Sequence, residues 1–212
     1  MVSICTGKHI NGPSAWGHTK LECLEQTTRH MLSIIRERLS IHFTVVGPSM
    51  MPSLDRGEHV LVDRLAYAEN RLLNRLAKKT VGGAISHIFN GPQRGDITLV
   101  TTGEGSQKIL IKRLIGLPGE SIKVANGEVR INGVHIYESY THTENLLMDR
   151  SESSSYLLRE NEYFLLGDNR HASADSRDFG PVSRCMMLGR AWLVVHSRHG
   201  MKIIRRPLYN TY

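Results

Sequence analysis

A serine hydroxyl is a weak nucleophile until a neighbouring group takes its proton, and a lysine amine can take it once burial has lowered its pKa. The 212-residue chain carries both groups in distinctive settings. Ser49 lies in Gly47-Pro48-Ser49-Met50-Met51-Pro52, and Lys112 lies further on in Ile111-Lys112-Arg113. A third polar block runs from Gly167-Asp168-Asn169-Arg170 to Asp175-Ser176-Arg177. Taken in order, the three segments imply one hydrolytic site built on a serine and a lysine.

Each segment alone has an ordinary reading beside the chemical one. Side chains alternate along a strand, so Leu110, Lys112 and Leu114 share a face, and an ammonium flanked by two inward leucines is desolvated. An edge-strand lysine whose stem covers apolar surface while its head reaches water fits the same spacing. Lys108 lies on that face too, but next to the polar 104–107 turn, where solvation is expected. Ser49 is held between Pro48 and an apolar Met-Met-Pro run, as suits a nucleophile at the edge of a hydrophobic groove. Its backbone N–H could then serve a tetrahedral oxyanion. A serine in a Pro-flanked turn, with Met50 and Met51 as core residues, is the plainer alternative. The block from Gly167 to Arg177 reads either as a solvated loop or as a buried Asp175–Arg177 ion pair that orients the site. A calcium loop is disfavoured, since Arg170 falls at the third ligand position and no Gly or Glu follows where one is needed.

The surrounding pattern is mainly β. Runs at 58–65, 97–101, 109–115, 121–125, 128–131, 134–137, 163–166 and 189–196 have strand composition. Asn126-Gly127 and Asn132-Gly133 supply the positive φ angles that tight hairpins need, and the strands from Ile97 onward are expected to be consecutive and antiparallel. The serine-rich stretch 141–155 is expected to be a surface loop. Upstream, Leu21, Leu24, Met31, Leu32, Ile35 and Leu39 recur at helical spacing with charges between them, which predicts an amphipathic helix ending at Ser40. The expected organisation is a tail and helix over 1–41, a protease domain over 42–200 with a partly helical insertion at about 66–93, and a C-terminal tail over 201–212.

Composition sets further bounds. Apolar residues make up 40% of the chain, and 27 Lys+Arg against 20 Asp+Glu leave a net charge of +7. That sign favours an anionic surface such as lipid headgroups. The charges are dispersed, with no zinc-finger spacing and no aromatic ladder, so no nucleic-acid partner is implied. Cys5, Cys23 and Cys185 form neither a disulfide framework nor a CxxC site. The eleven histidines show no HExxH or Cys/His cluster, so no metal and no cofactor is implied. The longest uncharged stretch, 39–54, is interrupted by Gly47, Pro48 and Pro52 and is shorter than the roughly 20 apolar residues that a spanning helix needs. The upstream helix either lies in a membrane interface or packs on the domain.

These residues resemble the type I signal peptidases, including their mitochondrial inner-membrane relatives. The resemblance rests on residues 47–54, on Arg94-Gly95-Asp96-Ile97, on Ile111 to Glu120, and on 167–170 with Ser173, 175–177 and Gly180-Pro181. It covers about 42–196. It implies an antiparallel β catalytic domain that cuts signal (leader) peptides from exported preproteins, after small residues at an Ala-X-Ala type site. Ser49 would be the nucleophile and Lys112 the general base. Ser173 would hydrogen-bond the lysine, with Asp168, Asp175 and Arg177 bracing the site. It also implies a membrane-associated enzyme with its catalytic domain on the outer face.

Two departures from the family pattern stand out. Some members carry a serine two residues before the nucleophile as a second oxyanion donor, whereas this chain has Gly47, as many Gram-positive members do. The transmembrane helices that usually precede the domain are replaced here by the charged amphipathic helix. A LexA-like self-cleaving repressor shares the Ser-Met context and strand lysine, but it needs a helix-turn-helix domain and an Ala-Gly or Cys-Gly cleavage site, and neither dipeptide occurs. A non-catalytic signal-peptide-binding relative would be expected to have lost Ser49 or Lys112.

Overall fold

Alternating burial organises the chain into two antiparallel sheets. The computed structural model describes residues 40–67, 91–102, 108–125, 127–141, 154–197 and 200–209. The predicted helix from Leu21 and the predicted insertion lie outside these residues for the most part. Two ends of those predictions can be checked. Ser40 opens a strand instead of closing a helix, and Leu65–Tyr67 forms a single 3-10 turn.

The larger sheet contains β1 (Ser40–Thr44), β2 (His59–Asp63), β3 (Ile97–Thr102), β4 (Lys108–Gly116), β9 (Glu162–Leu166), β10 (Val182–Ser183), β11 (Met187–His196) and β12 (Lys202–Ile203). Its order is β1-β2-β11-β3-β4-β9-β10, with β12 on β11. The smaller sheet has the order β7-β6-β5-β8, from β5 (Ser121–Ala125), β6 (Glu128–Ile131), β7 (Val134–His135) and β8 (Ser154–Leu157).

The two sheets differ in how they meet water. β5 and β6 alternate buried and exposed residues, the mark of a sheet with one wet face. β2 and the C-terminal part of β4 are buried on both faces. β4 can therefore carry Lys112 and Arg113 side by side, each pointing into a different part of the interior. The smaller sheet packs on β4 and β9 through Ile122, Val124, Val129, Ile131, Ile115, Phe164 and Leu166. Gly116 lets it come close. A Cβ there would lie 2.7 Å from Leu158 Cδ1 and 2.8 Å from both Ile122 Cγ1 and Phe164 Cβ.

The β6–β7 hairpin turns through Asn132 and Gly133, with φ of 51° and 83°, as its Asn-Gly pair predicts. The strands are not all consecutive neighbours, however. β4 is already paired on one side with β3 and on the other with β9. After the Pro118-Gly119 turn the chain therefore changes sheets, and β5 pairs with β6 and β8. The predicted 141–155 loop ends early, because Ser154 and Ser155 pair with Val124 and Lys123. The predicted C-terminal tail is bonded to the domain through β12.

Candidate active site

The loop that carries Ser49 joins β1 to β2 and is tied at its base, where Val45 N donates to Glu58 O and Gly57 N donates to Val45 O. Within it, Met51 N donates to Pro48 O and Leu54 N to Met50 O, while Met50 and Leu54 are buried in the core. These apolar anchors fix the turn that presents Ser49. The Met51–Pro52 peptide is cis. No backbone acceptor takes the Ser49 N–H among the described residues.

Lys112 Nζ and Ser49 Oγ are 2.8 Å apart. Lys112 is only 3% exposed, and Leu110 and Leu114 on its face pack in one apolar cluster. Burial pushes the Lys112 amine below the ordinary lysine range, and the Arg177 charge pushes in the same direction. Asp175, Asp168 and Asp178 oppose it. A neutral amine can accept the Ser49 proton, whereas an ammonium only donates to the oxygen. Lys108, the competing lysine, is exposed at the start of β4.

The block after β9 faces this pair. Asn169 N donates to Ser49 O at 3.0 Å, which stitches the block to the Ser49 loop. Asp168 accepts Arg113 Nε at 2.7 Å and Arg113 Nη2 at 2.6 Å, and neither partner reaches solvent to any extent. Arg113 also donates to Gly95 O and Ser53 Oγ, so one guanidinium joins the turn before β3, the Ser49 loop and the block. Burial opposes the Arg113 charge, but Asp168 outweighs it and keeps the group firmly protonated.

Asp175 caps the short helix α1 (Ser176–Phe179) and forms a capping box with Asp178. Its carboxylate also accepts Gly167 N at 2.9 Å and Arg177 Nε at 2.9 Å. Arg177 reaches back to Arg170 O, and Arg170 pairs with the Glu138 carboxylate at 2.7 Å.

One of the sequence-derived positions, Ser173, sits differently from its expected role. Ser173 does not hydrogen-bond Lys112. Its hydroxyl is buried with no partner, against Gly167, where a Cβ would come within 2.2 Å of Ser173 Oγ and 2.6 Å of Ser49 O. Gly47 faces open space, with nothing within 4 Å of where its Cβ would be. Among the described residues, no group of three or more His, Cys, Asp or Glu side chains is placed to hold a metal.

Sequence reasoning passed over Arg113, Glu138, Arg170 and Tyr140. Arg113 carried a signal, as the neighbour of Lys112 on a strand whose other face is also apolar. Arg170 was visible within the polar block but without its partner, and Glu138 and Tyr140 gave no signal, because the arginines they meet, Arg170 and Arg113, are distant from them in sequence.

A serine hydroxyl against a desolvated lysine amine, on an antiparallel β scaffold, is the layout of a serine-type hydrolase. The sequence pattern of the family described as "Signal peptidase, peptidase S26" matches residues 27–196. Signal peptidase I V of Bacillus subtilis is 29% identical over 165 residues, covering 73% of this chain and 85% of its own. Signal peptidase I U of the same organism is 34% identical, covering 73% of this chain and 74% of its own. Signal peptidase I of Leptolyngbya laminosa is 31% identical, covering 69% of this chain and 64% of its own. The chain belongs to the signal peptidase family, peptidase S26, and with it to the serine endopeptidases.

Proposed function

We propose that the chain cleaves signal peptides from exported preproteins with Ser49 as nucleophile and Lys112 as general base. The observation that carries this reading is the 2.8 Å contact between Lys112 Nζ and Ser49 Oγ in a buried setting. Ser49 Oγ attacks the scissile carbonyl while its proton passes to the neutral Lys112 amine. The resulting ammonium then gives that proton to the leaving amine as the C–N bond breaks. Water enters, loses a proton to Lys112 and attacks the acyl-serine ester, and as the acyl–Oγ bond breaks the Lys112 ammonium returns that proton to Ser49 Oγ.

The Ser49 N–H is the donor nearest to hand for the tetrahedral oxyanion. Gly47 supplies no side-chain donor, and one such donor is worth about 3 kcal/mol of transition-state stabilisation in other serine enzymes. Asp168, Asp175 and Arg177 act by holding the facing block, and they set the balance of charge around Lys112. Substrates carry small residues at an Ala-X-Ala type site.

The enzyme works at a membrane surface, with its catalytic domain on the outer face. The net charge of +7 supports contact with anionic headgroups. No described helix is long and apolar enough to cross a bilayer.

The test is cleavage of a preprotein with an Ala-X-Ala site, with and without anionic lipid, by wild type, Ser49→Ala and Lys112→Ala. Site-specific cleavage by wild type, lost in both variants, is expected. An inactive but folded wild type in every condition, or an active Ser49→Ala, would overturn the proposal.

A further inference from the structure

Residues 200–209 lie beyond the 27–196 span matched by the family pattern, yet they are bonded to the back of the site. After β12, Ile204 N donates to Trp192 O, and the chain crosses toward β3 and β4. Arg206 Nε donates to the buried Asp96 carboxylate at 2.5 Å, and that carboxylate is itself held by Gln93 N and the Tyr67 hydroxyl. Pro207 and Tyr209 then lie on Gly95. Gly95 has φ of +88°, and a Cβ built there would lie 2.9 Å from Pro207 Cδ and 3.1 Å from Tyr209 Cε2. The bare Cα of Gly95 is therefore where the segment sits.

Two routes lead from this segment to Arg113. In the first, the carbonyl of Gly95, on which Pro207 and Tyr209 rest, accepts Arg113 Nη1 at 2.9 Å. In the second, the Tyr209 hydroxyl meets the Tyr140 hydroxyl at 3.3 Å, with the rings edge to face. The Tyr140 ring in turn carries the Arg113 guanidinium 4.0 Å from its centroid. A cation over an aromatic face gains most when water is kept away. Burial also pushes the Tyr209 hydroxyl up to about 12, so it stays neutral beside Tyr140 across the working range.

We propose that residues 202–209 are a strap that fixes Arg113, and through it the Ser53 end of the nucleophile loop and the Asp168 end of the facing block, with Arg206 and Tyr209 as positioning residues. The proposal rests on the reading of Ser49 and Lys112 as nucleophile and base. The strap makes no bond to either residue among the described contacts; Lys202 Nζ donates to Ser53 O at 3.4 Å, on the loop that carries Ser49, and the influence of Arg206 and Tyr209 passes through Arg113. Two consequences distinguish it from a merely structural role. Loosening the strap shifts the geometry of the reacting pair, which lowers kcat and leaves KM nearly untouched. It also loosens Arg113 from Asp168, whose charge favours the Lys112 ammonium, so the acid limb of the rate moves to higher pH.

The experiment uses the full chain and a peptide with an Ala-X-Ala site. It measures kcat, KM and their pH dependence, and follows Lys112 titration by NMR of 13C-labelled lysine. Arg206→Ala and Tyr209→Ala are expected to lower kcat about tenfold or more with KM within about twofold, the scale of a small misplacement at a reacting pair. Both are expected to shift the acid limb and the Lys112 titration upward. Arg206→Lys should restore most of the rate. Leu208→Ala, which alters an exposed strap residue, should match wild type. Wild-type kcat and Lys112 titration in both alanine variants, with the fold intact by NMR, would overturn the strap.

Should an alanine variant not fold, Tyr209→Phe decides, since it keeps the ring and removes only the hydroxyl. A smaller fall in kcat with an upward titration shift supports the strap, and no change in either refutes it. Should wild type fail to cleave, that failure belongs to the functional reading. The Lys112 titration in the variants still tests the strap.

Discussion

Lys112 Nζ lies 2.8 Å from Ser49 Oγ, although 63 positions separate the two residues in the chain. Neither element supplies the contact alone. The turn carrying Ser49 is fixed by Met50 and Leu54 in the core, and β4 is fixed on both sides by β3 and β9. Because both anchors are packed into the core, the proposed reaction would need little rearrangement of the pair.

The first expected outcome concerns pH. A general base acts deprotonated, so kcat/KM should rise with pH through the Lys112 pKa of the free enzyme. Burial sets that pKa below the ordinary lysine value of about 10.4, so the rate should reach half its maximum below that pH. The sign for stability follows from the same depression. Between the folded and unfolded pKa values the unfolded lysine binds more protons, so stability rises with pH across that window. Lys112→Met should abolish cleavage and flatten this dependence, and Lys112→Arg should be inactive because arginine does not deprotonate. A pH–rate profile and urea unfolding at several pH values check both.

The Arg113–Asp168 pair leads to a second expectation. Removing one partner of a buried ion pair leaves the other charge without compensation, at about 3–5 kcal/mol. Arg113→Met should therefore destabilise by that order and slow cleavage, because Ser53 and Gly95 lose their shared donor at the same time. Asp168→Asn should cost less, since the amide oxygen still accepts one bond. Denaturant midpoints and kcat, measured on the same preparations, check the ranking.

The strands were readable because the chemistry that makes them is local. β-branched runs, Asn-Gly turns and alternating burial are all written within a few residues of one another. The change of sheet after Pro118-Gly119 was not readable in the same way, since it depends on β9, some fifty residues downstream, having taken the free edge of β4. The short helix α1 did leave a signal. Asp175 and Asp178 have the spacing of a capping box, and Gly180-Pro181 is a stop. Its four residues are too few to show helical periodicity. Ser49 and Lys112 could be named from order and context, but Glu138, Tyr140 and Tyr209 could not. Their partners Arg170 and Arg113 are brought to them only by the tertiary fold.

Gly167 leads to a third expectation. A methyl group there would meet the Ser49 carbonyl oxygen at 2.6 Å and the Ser173 side chain closer still. The carbonyl is backbone and cannot rotate aside, so Gly167→Ala should push the Ser49 loop off the block and lower kcat by about a hundredfold. Adding Ser173→Ala should not rescue it, because Ser173 Cβ and the Ser49 oxygen both remain in the way. Recovery of full activity in the double variant would place the conflict at the hydroxyl alone.

Gly47 leads to the last expectation, and in the opposite direction. Its Cβ position is open for 4 Å around, and its φ is not among the positive values found elsewhere in the chain. A serine can therefore be placed there without strain. Two residues before the proposed nucleophile, its hydroxyl would offer a second donor to the oxyanion that Ser49 N–H would otherwise hold with solvent. A preorganised donor acts on the transition state more than on the bound substrate. Gly47→Ser should accordingly raise kcat severalfold with KM little changed, while Gly47→Ala, which fills the same space without a donor, should stay at the wild-type rate. Equal rates for the serine and alanine variants would show that the oxyanion is already fully served, by the backbone or by water.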